Sequence, residues 1–246
     1  MENFNSDQLY SSSNALPTAG RVNFNSTVNN DFPTNEAYKM LRTNILFCGT
    51  DVKTILITSS HENEGKSTIA SEISRSLAEL DKKTLLIDAD MRKSVILKKN
   101  LKAQNILGLS ELLSGQATIG QVLFNTQNPN FDVIFSGHFP PNPVELLNSE
   151  NFKNTLNKLE DFYDYIIIDS PPLGPVIDAA VMSTSCDGAI IVIAAGKTPY
   201  YEVAATKEQL IKSGCKILGA VLNETDSKKY RNKYYKKNYY YYSDKR

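Results

Sequence analysis

Gly65-Lys66-Ser67-Thr68 follows the apolar run Ile55-Leu56-Ile57 across a short polar turn, with Ser60 where the first glycine of a phosphate-binding loop normally stands. That spacing is a strand, a loop and the opening turn of a helix, the arrangement that grips phosphate. Backbone N–H groups at a helix N-terminus surround an anion, and here those of Glu64 and Gly65 belong to the loop. Lys66 reaches the β and γ oxygens of a nucleotide in this geometry, the Ser67 hydroxyl ligates magnesium, and Thr68 sits over the α-phosphate. ATP with Mg2+ is the pair this loop predicts.

Two further segments place carboxylates on the same edge. Leu85-Leu86-Ile87 runs into Asp88-Ala89-Asp90-Met91-Arg92, and Ile166-Ile167-Ile168 runs into Asp169-Ser170-Pro171-Pro172. A single aspartate after a single strand is commonly a turn cap. Three after two strands, behind a phosphate loop, suit a hard cation that keeps much of its water. Arg92 has two readings, a phosphate contact or a pairing with a surface carboxylate. Asn223 ends a further apolar run, and one reading of it is a plain turn residue.

These segments must be positioned by a layered fold. Candidate strands are 54–58, 84–88, 131–135, 165–169, 189–194 and 217–223, alternating with helices near 66–80, 108–114, 143–160, 175–185 and 199–213. Runs such as Ile190-Ile191-Val192-Ile193 are apolar without alternation, so both faces of the sheet are covered. The fold class is therefore α/β, a mostly parallel central sheet with helices on both faces, and ligands bind at the carboxyl ends of its strands. Leu109, Leu112 and Leu113 read as core packing within it.

With 246 residues, 41% of them hydrophobic, one domain with loose ends is expected. Residues 1–33, rich in Asn, Ser and Thr, read as a flexible leader, with Thr34 capping a helix that stops near Gly49. Residues 34–223 form the nucleotide-binding domain, and 224–246 a solvated tail. Three scattered cysteines and two histidines offer no disulfide framework or metal site and fit a reducing cytoplasm. No apolar run is long enough to span a bilayer, so any membrane association is expected through another protein.

The tail is the second chemical feature. It holds Tyr230, Tyr234, Tyr235, Tyr239, Tyr240, Tyr241 and Tyr242 among lysines, with eight Lys or Arg against three acidic residues from Glu224 onward, so a +5 tail follows a −5 body in a chain of zero net charge. Zero net charge removes the general case for nucleic acid as a partner, although a basic aromatic strip gripping an anionic surface stays open. The other reading is a substrate. A phenol has a pKa near 10, so its attack on ATP benefits from a nearby carboxylate base.

Taken together, the loop, D-x-D-x-R, D-S-P-P, Pro141-Asn142-Pro143-Val144-Glu145-Leu146-Leu147 and the tyrosine cluster resemble the bacterial tyrosine kinases of polysaccharide export, in the cytoplasmic two-chain form. The resemblance covers residues 34–246 and implies the MinD/ParA-like architecture shared with the partitioning and division-site ATPases. It implies catalytic Lys66, Asp88, Asp90 and Asp169, with Asp88 as base and Ser67, Asp90 and Asp169 on magnesium. In similar ATPases an Asn at the position of Asn223 meets the nucleotide base, which is the other reading of that residue. Acceptors would be Tyr234, Tyr235, Tyr239, Tyr240, Tyr241 and Tyr242. Implied partners are a membrane-spanning activator of the polysaccharide co-polymerase kind on a separate chain, which recruits the kinase to the inner face of the membrane, and a cognate tyrosine phosphatase. A homo-oligomeric ring would form through Glu36, Lys39 and Arg42 of the first helix. The departures are Glu62-Asn63 in place of Pro-Gly, and Ser94 in place of a proline. A switch ATPase without kinase activity is the alternative, but its extra lysine would fall at His61.

Overall fold

The computed structural model describes residues 16–24, 26, 32–100, 106–174 and 177–225. The tail tyrosines expected as acceptors lie outside the described residues. Among the described residues, eight strands form one sheet in the order β1-β4-β5-β3-β6-β2-β7-β8. They are β1 (Gly20–Arg21), β2 (Thr54–Ser59), β3 (Thr84–Asp88), β4 (Leu123–Asn125), β5 (Phe131–Ile134), β6 (Tyr165–Asp169), β7 (Gly188–Ala194) and β8 (Ile217–Asn223). Every pairing is parallel except β4 with β5. The expected parallel sheet is present, with its central strands apolar on both faces.

Alternation along each buried strand divides the core in two. Ile55, Ile57, Leu86 and Ile167 pack with Ile45 of α1 (Phe32–Leu46), with Ile69, Ile73 and Leu77 of α2 (Lys66–Ala78), and with Ile96 of α3 (Val95–Asn100). Leu56, Leu85, Ile87, Ile166 and Ile168 face the other side. They meet α4 (Leu109–Leu113), α6 (Pro143–Leu147), α7 (Glu150–Leu159), α8 (Asp178–Ser183) and α9 (Tyr200–Lys212), with the four-residue α5 (Ile119–Val122) leading into β4. Leu109, Leu112 and Leu113 are buried in this second layer, as their spacing predicts.

Three local expectations are corrected. The leader is not featureless, because β1 pairs with β4 and Val22 and Phe24 are buried. Gln127 accepts from the Phe24 N–H at 2.8 Å and donates to its carbonyl at 2.5 Å, while the Phe24 ring packs edge-on against Phe131. The first helix starts at Phe32, so Thr34 lies inside it rather than capping it. The helix expected over 143–160 is two helices, because the Ser149 hydroxyl accepts from the Phe152 N–H and starts α7 anew.

Candidate active site

The loop from β2 to α2 turns on two left-handed residues. Asn63 has φ 63° and Gly65 φ 90°, so asparagine fills the role glycine usually takes, as its tolerance of that region allows. Gly65 is required for space as well. A Cβ there would lie 2.0 Å from the Asn223 side-chain nitrogen. That nitrogen donates to the Glu64 carbonyl at 2.9 Å, so Asn223 ties the loop to the end of β8.

Glu64 contributes more than backbone. Its buried carboxylate accepts from the His61 N–H at 2.7 Å, from the Ala194 N–H at 3.2 Å and from the Thr198 hydroxyl. One side chain therefore fixes the loop to itself and to the end of β7. Ser60 adds a hydroxyl contact to Thr206 of α9 at 2.9 Å, and His61 pairs with Glu202. Sequence reading missed this bracing, since nothing local in Glu-Asn-Glu-Gly marks the partners 130 or more positions away.

The carboxylates converge from adjacent strands. β3 and β6 pair in register so that Asp88 stands opposite Asp169. Both are fully buried. Asp88 accepts from the Asp90 N–H at 3.2 Å and from the Ser94 hydroxyl, and Ser94 also accepts from the Leu97 N–H at 3.0 Å, capping α3. A proline at 94 could supply neither bond. Burial and the neighbouring Asp169 charge push the Asp88 carboxyl well above the ordinary range. Burial likewise raises Asp169 to about 6, while the Lys66 charge and the Ser67 hydroxyl offset part of the effect. Neither Asp169 oxygen has a hydrogen-bond partner among the described residues.

Asp90 is the carboxylate of the three that reaches the cleft. It accepts from the Lys93 N–H at 2.9 Å and lies 3.5 Å from the Lys66 ammonium. The cleft, about 390 Å³, is lined by Gly65, Lys66, Ser67 and Thr68 together with Asp90 and Arg92. Lys66, Ser67 and Asp90 line the cleft together, while Asp88 and Asp169, facing each other on β3 and β6, stand behind it and do not line it.

Arg92 lines the cleft and also pairs with a carboxylate. Its guanidinium makes a two-point bond to Asp178 at 2.9 and 3.3 Å, and Asp178 is buried at the start of α8 rather than on the surface. Glu62, whose charge stands near the phosphate position, is paired at 2.5 Å with Lys93. The first helix keeps its charges to itself: Lys39 pairs with Glu36 at 2.8 Å, and Arg42 donates to the Ser76 carbonyl of α2 at 2.9 Å.

The donor set fits a hydrated cation. An orphaned buried carboxylate, a second carboxylate and a hydroxyl sit beside the phosphate loop, and among the described residues no larger group of His, Cys, Asp or Glu converges. Magnesium binds with few protein ligands, taking the rest from phosphate and water.

Comparison with known proteins places this site in a family. A model described as an AAA domain matches residues 52–217. Tyrosine-protein kinase CpsD of Streptococcus agalactiae is 42% identical over 193 residues, covering 78% of this chain and 84% of its own. The chain belongs to the bacterial tyrosine-protein kinases. Within that family, the putative tyrosine-protein kinase CapB of Staphylococcus aureus is 37% identical, covering 85% of this chain and 90% of its own. Among solved structures of such kinases, the kinase domain of Escherichia coli tyrosine kinase ETK superimposes with a TM-score of 0.72 at 36% identity, over 76% of this chain and 74% of that one. The chimerical protein CapA2B2 superimposes with a TM-score of 0.76 at 35% identity, over 85% and 95%. The septum site-determining protein MinD from Pyrococcus horikoshii shares the fold alone, with a TM-score of 0.59 at 23% identity over 71% and 72%. Like other members of the kinase family, this one is a phosphoryl-transfer enzyme built on a nucleotide-binding fold. Among its described residues, no helix is long and apolar enough to cross a membrane.

Proposed function

We propose that this kinase transfers the γ-phosphoryl group of ATP to its own C-terminal tyrosines, Tyr234, Tyr235 and Tyr239 to Tyr242, between subunits, and that this regulates capsular or extracellular polysaccharide synthesis and export. The observation that carries the reading is the meeting of Lys66, Asp90 and the facing pair Asp88 and Asp169 at one end of the sheet. The backbone of residues 64–68 holds the phosphates at the start of α2, and Lys66 stabilises charge on the group in transfer. Ser67, Asp90 and Asp169 would hold Mg2+, which supplies Lewis-acid stabilisation of the phosphates when bound. Asn223 borders the loop from β8, where an adenine would come, and Arg92 contributes positive charge to the wall.

Asp88 accepts the phenolic proton in this reading. Burial raises its proton affinity, which suits a base; access to it requires the Ser94 hydroxyl to turn away from the carboxylate. The tail leaves the domain after Asn223, at the ligand edge itself. From there to the four-tyrosine run the chain spans at most about 55–65 Å, enough to reach a neighbouring site as well as its own. The remaining parts of the reading come from the family. They are a membrane-spanning activator on a separate chain, recruitment by it from the cytoplasm to the inner membrane face, a ring through the first helix, and a cognate phosphatase.

Two preparations test transfer together. Lys66→Met is expected to abolish phosphotyrosine while circular dichroism and melting stay those of a folded chain; tail phosphorylation retained in the purified variant refutes the reading. Mixing Lys66→Met chain with active chain lacking its tail is expected to label the Lys66→Met tail. An unlabelled tail in that mixture excludes transfer between subunits.

A further inference from the structure

Five tyrosines fall among the described residues. Tyr163 and Tyr165 are buried and Tyr38 is partly so, but Tyr200 and Tyr201 are 86% and 70% exposed. They are also the one adjacent tyrosine pair outside the tail, where Tyr234-Tyr235 and Tyr239 to Tyr242 repeat the same adjacency. Both occupy the first turn of α9, directly after the loop that leaves the carboxyl end of β7. That is the edge on which the nucleotide cleft opens.

The segment that bears them is bonded to the nucleotide loop at three points. Thr198 donates to the Glu64 carboxylate, Glu202 pairs with His61, and Thr206 meets Ser60 at 2.9 Å. Between them lies an open groove of about 730 Å³, whose walls include Ser60, His61, Gly174, Glu202 and Gln209. The Glu202 carboxylate also engages Tyr201, and this holds the Tyr201 phenol above its ordinary value. Tyr201 is the immediate neighbour of Glu202 in the first turn of α9, and Glu202 is paired with the loop.

We propose that Tyr200 and Tyr201 are a second phosphoacceptor pair, modified by another copy of this chain, and that phosphate on them loosens the nucleotide loop. The inference rests on the ATP-dependent tyrosine kinase reading above. Another copy is needed because neither tyrosine lines its own cleft, and the helix backbone fixes where they stand. In the step, the phenolic oxygen bonds to the γ-phosphorus of ATP. The bond from that phosphorus to the β,γ-bridging oxygen breaks and ADP leaves. The phenolic proton passes to the carboxylate base of the copy that holds the nucleotide.

The consequence follows from charge. A phosphotyrosine carries about −1.5 to −2 at neutral pH and three acceptor oxygens. Beside Glu202 it repels that carboxylate and competes with it for His61, so one of the three ties between α9 and the loop is withdrawn. The N-terminal end of a 13-residue helix meanwhile tolerates the added negative charge, so α9 itself stays folded.

The experiment uses the full chain in three forms: the parent, a form with all seven tail tyrosines changed to Phe, and that form with Tyr200→Phe and Tyr201→Phe added. Each is incubated with ATP and Mg2+ and mapped by mass spectrometry. Phosphate is expected on the peptide containing Tyr200 and Tyr201 in the first two forms. Nucleotide affinity of the tail-substituted form, measured with a fluorescent ADP analogue, is expected to weaken about fivefold or more after phosphorylation, a typical scale for coupling between sites. The form without Tyr200 and Tyr201 is expected to keep its affinity. A phosphorylated tail with an unmodified Tyr200-Tyr201 peptide overturns the inference and leaves the kinase reading standing. A parent chain that labels neither place overturns both. Phosphate on the pair with unchanged affinity overturns its action on the loop.

Discussion

Asp169 shows what a buried carboxylate does to stability. Both its oxygens are buried without a partner among the described residues, and burial is the main cause that holds its carboxyl at about 6 rather than 3.8. Because the folded chain binds this proton more tightly than the unfolded chain, the stabilising effect is complete below the unfolded value and is lost as pH rises toward 6. Above that window the fold carries a buried charge that Lys66 and Ser67 offset only in part. Asp88 is displaced in the same direction and adds to the slope. Asp169→Asn is therefore expected to raise the stability of the nucleotide-free protein at pH 7.5, by about 1–2 kcal/mol, and to flatten its dependence on pH between 4 and 6. Thermal melts across pH check both. A lower melting temperature than the parent at pH 7.5 contradicts the account. The same variant is expected to lose the stabilisation that added Mg2+ and ATP give the parent, since the carboxylate that strains the fold is the one a cation would neutralise.

At the scale of elements, the phosphate loop is held less by its own turn than by the ends of three later ones. Glu64 bonds β7 and the loop N-terminus, Asn223 bonds from β8, and Ser60 and His61 bond to α9. Glu64→Ala leaves the buried Ala194 N–H, the His61 N–H and the Thr198 hydroxyl without their acceptor. The expected cost is about 1–3 kcal/mol of stability for an unsatisfied buried group, with nucleotide affinity weakened severalfold because the loop is no longer preorganised. Melting and equilibrium binding test this, and unchanged affinity contradicts the bracing role. Much of the fold and the site was legible before any coordinates. The runs before Asp88 and Asp169 end where strands end, Gly65-Lys66-Ser67 opens α2, and the strand boundaries at 84–88, 165–169 and 217–223 coincide with those observed. These signals are local. What stayed hidden is held by long-range bonds: the two-residue β1 exists through β4 a hundred positions on, the acceptor role of Glu64 depends on Ala194 and Thr198, and the partner of Arg92 is Asp178. Ser94 was visible only as a departure from the family, and its bond to Asp88 gives that departure a physical meaning.

For the whole molecule, the first helix raises the question of what draws copies together. The charges expected to join subunits are occupied within one chain, since Glu36 and Lys39 pair with each other and Arg42 bonds to α2. Alongside its exposed polar residues, α1 leaves large apolar side chains to solvent: Phe32 is 69%, Met40 67% and Phe47, just past its end, 82% exposed. At 100° per residue these three fall on one face of about 80°, which Glu36 and Thr43 share. Removing such side chains from water is worth about 1.5–3 kcal/mol each, whereas an exposed ion pair contributes about 0–1 kcal/mol. In any assembly through α1, apolar contact would therefore outweigh the charge pattern as the source of attraction. Met40→Glu with Phe47→Ser is expected to lower the mass of any assembly measured by light scattering, and Glu36→Gln with Lys39→Gln to change it little. Both pairs lie away from the cleft, so nucleotide binding by single chains is expected to match the parent in each. If assembly survives loss of the apolar pair and collapses with loss of the charges, the helix joins its neighbours through Glu36 and Lys39 after all, and those residues must exchange their present partners to do so.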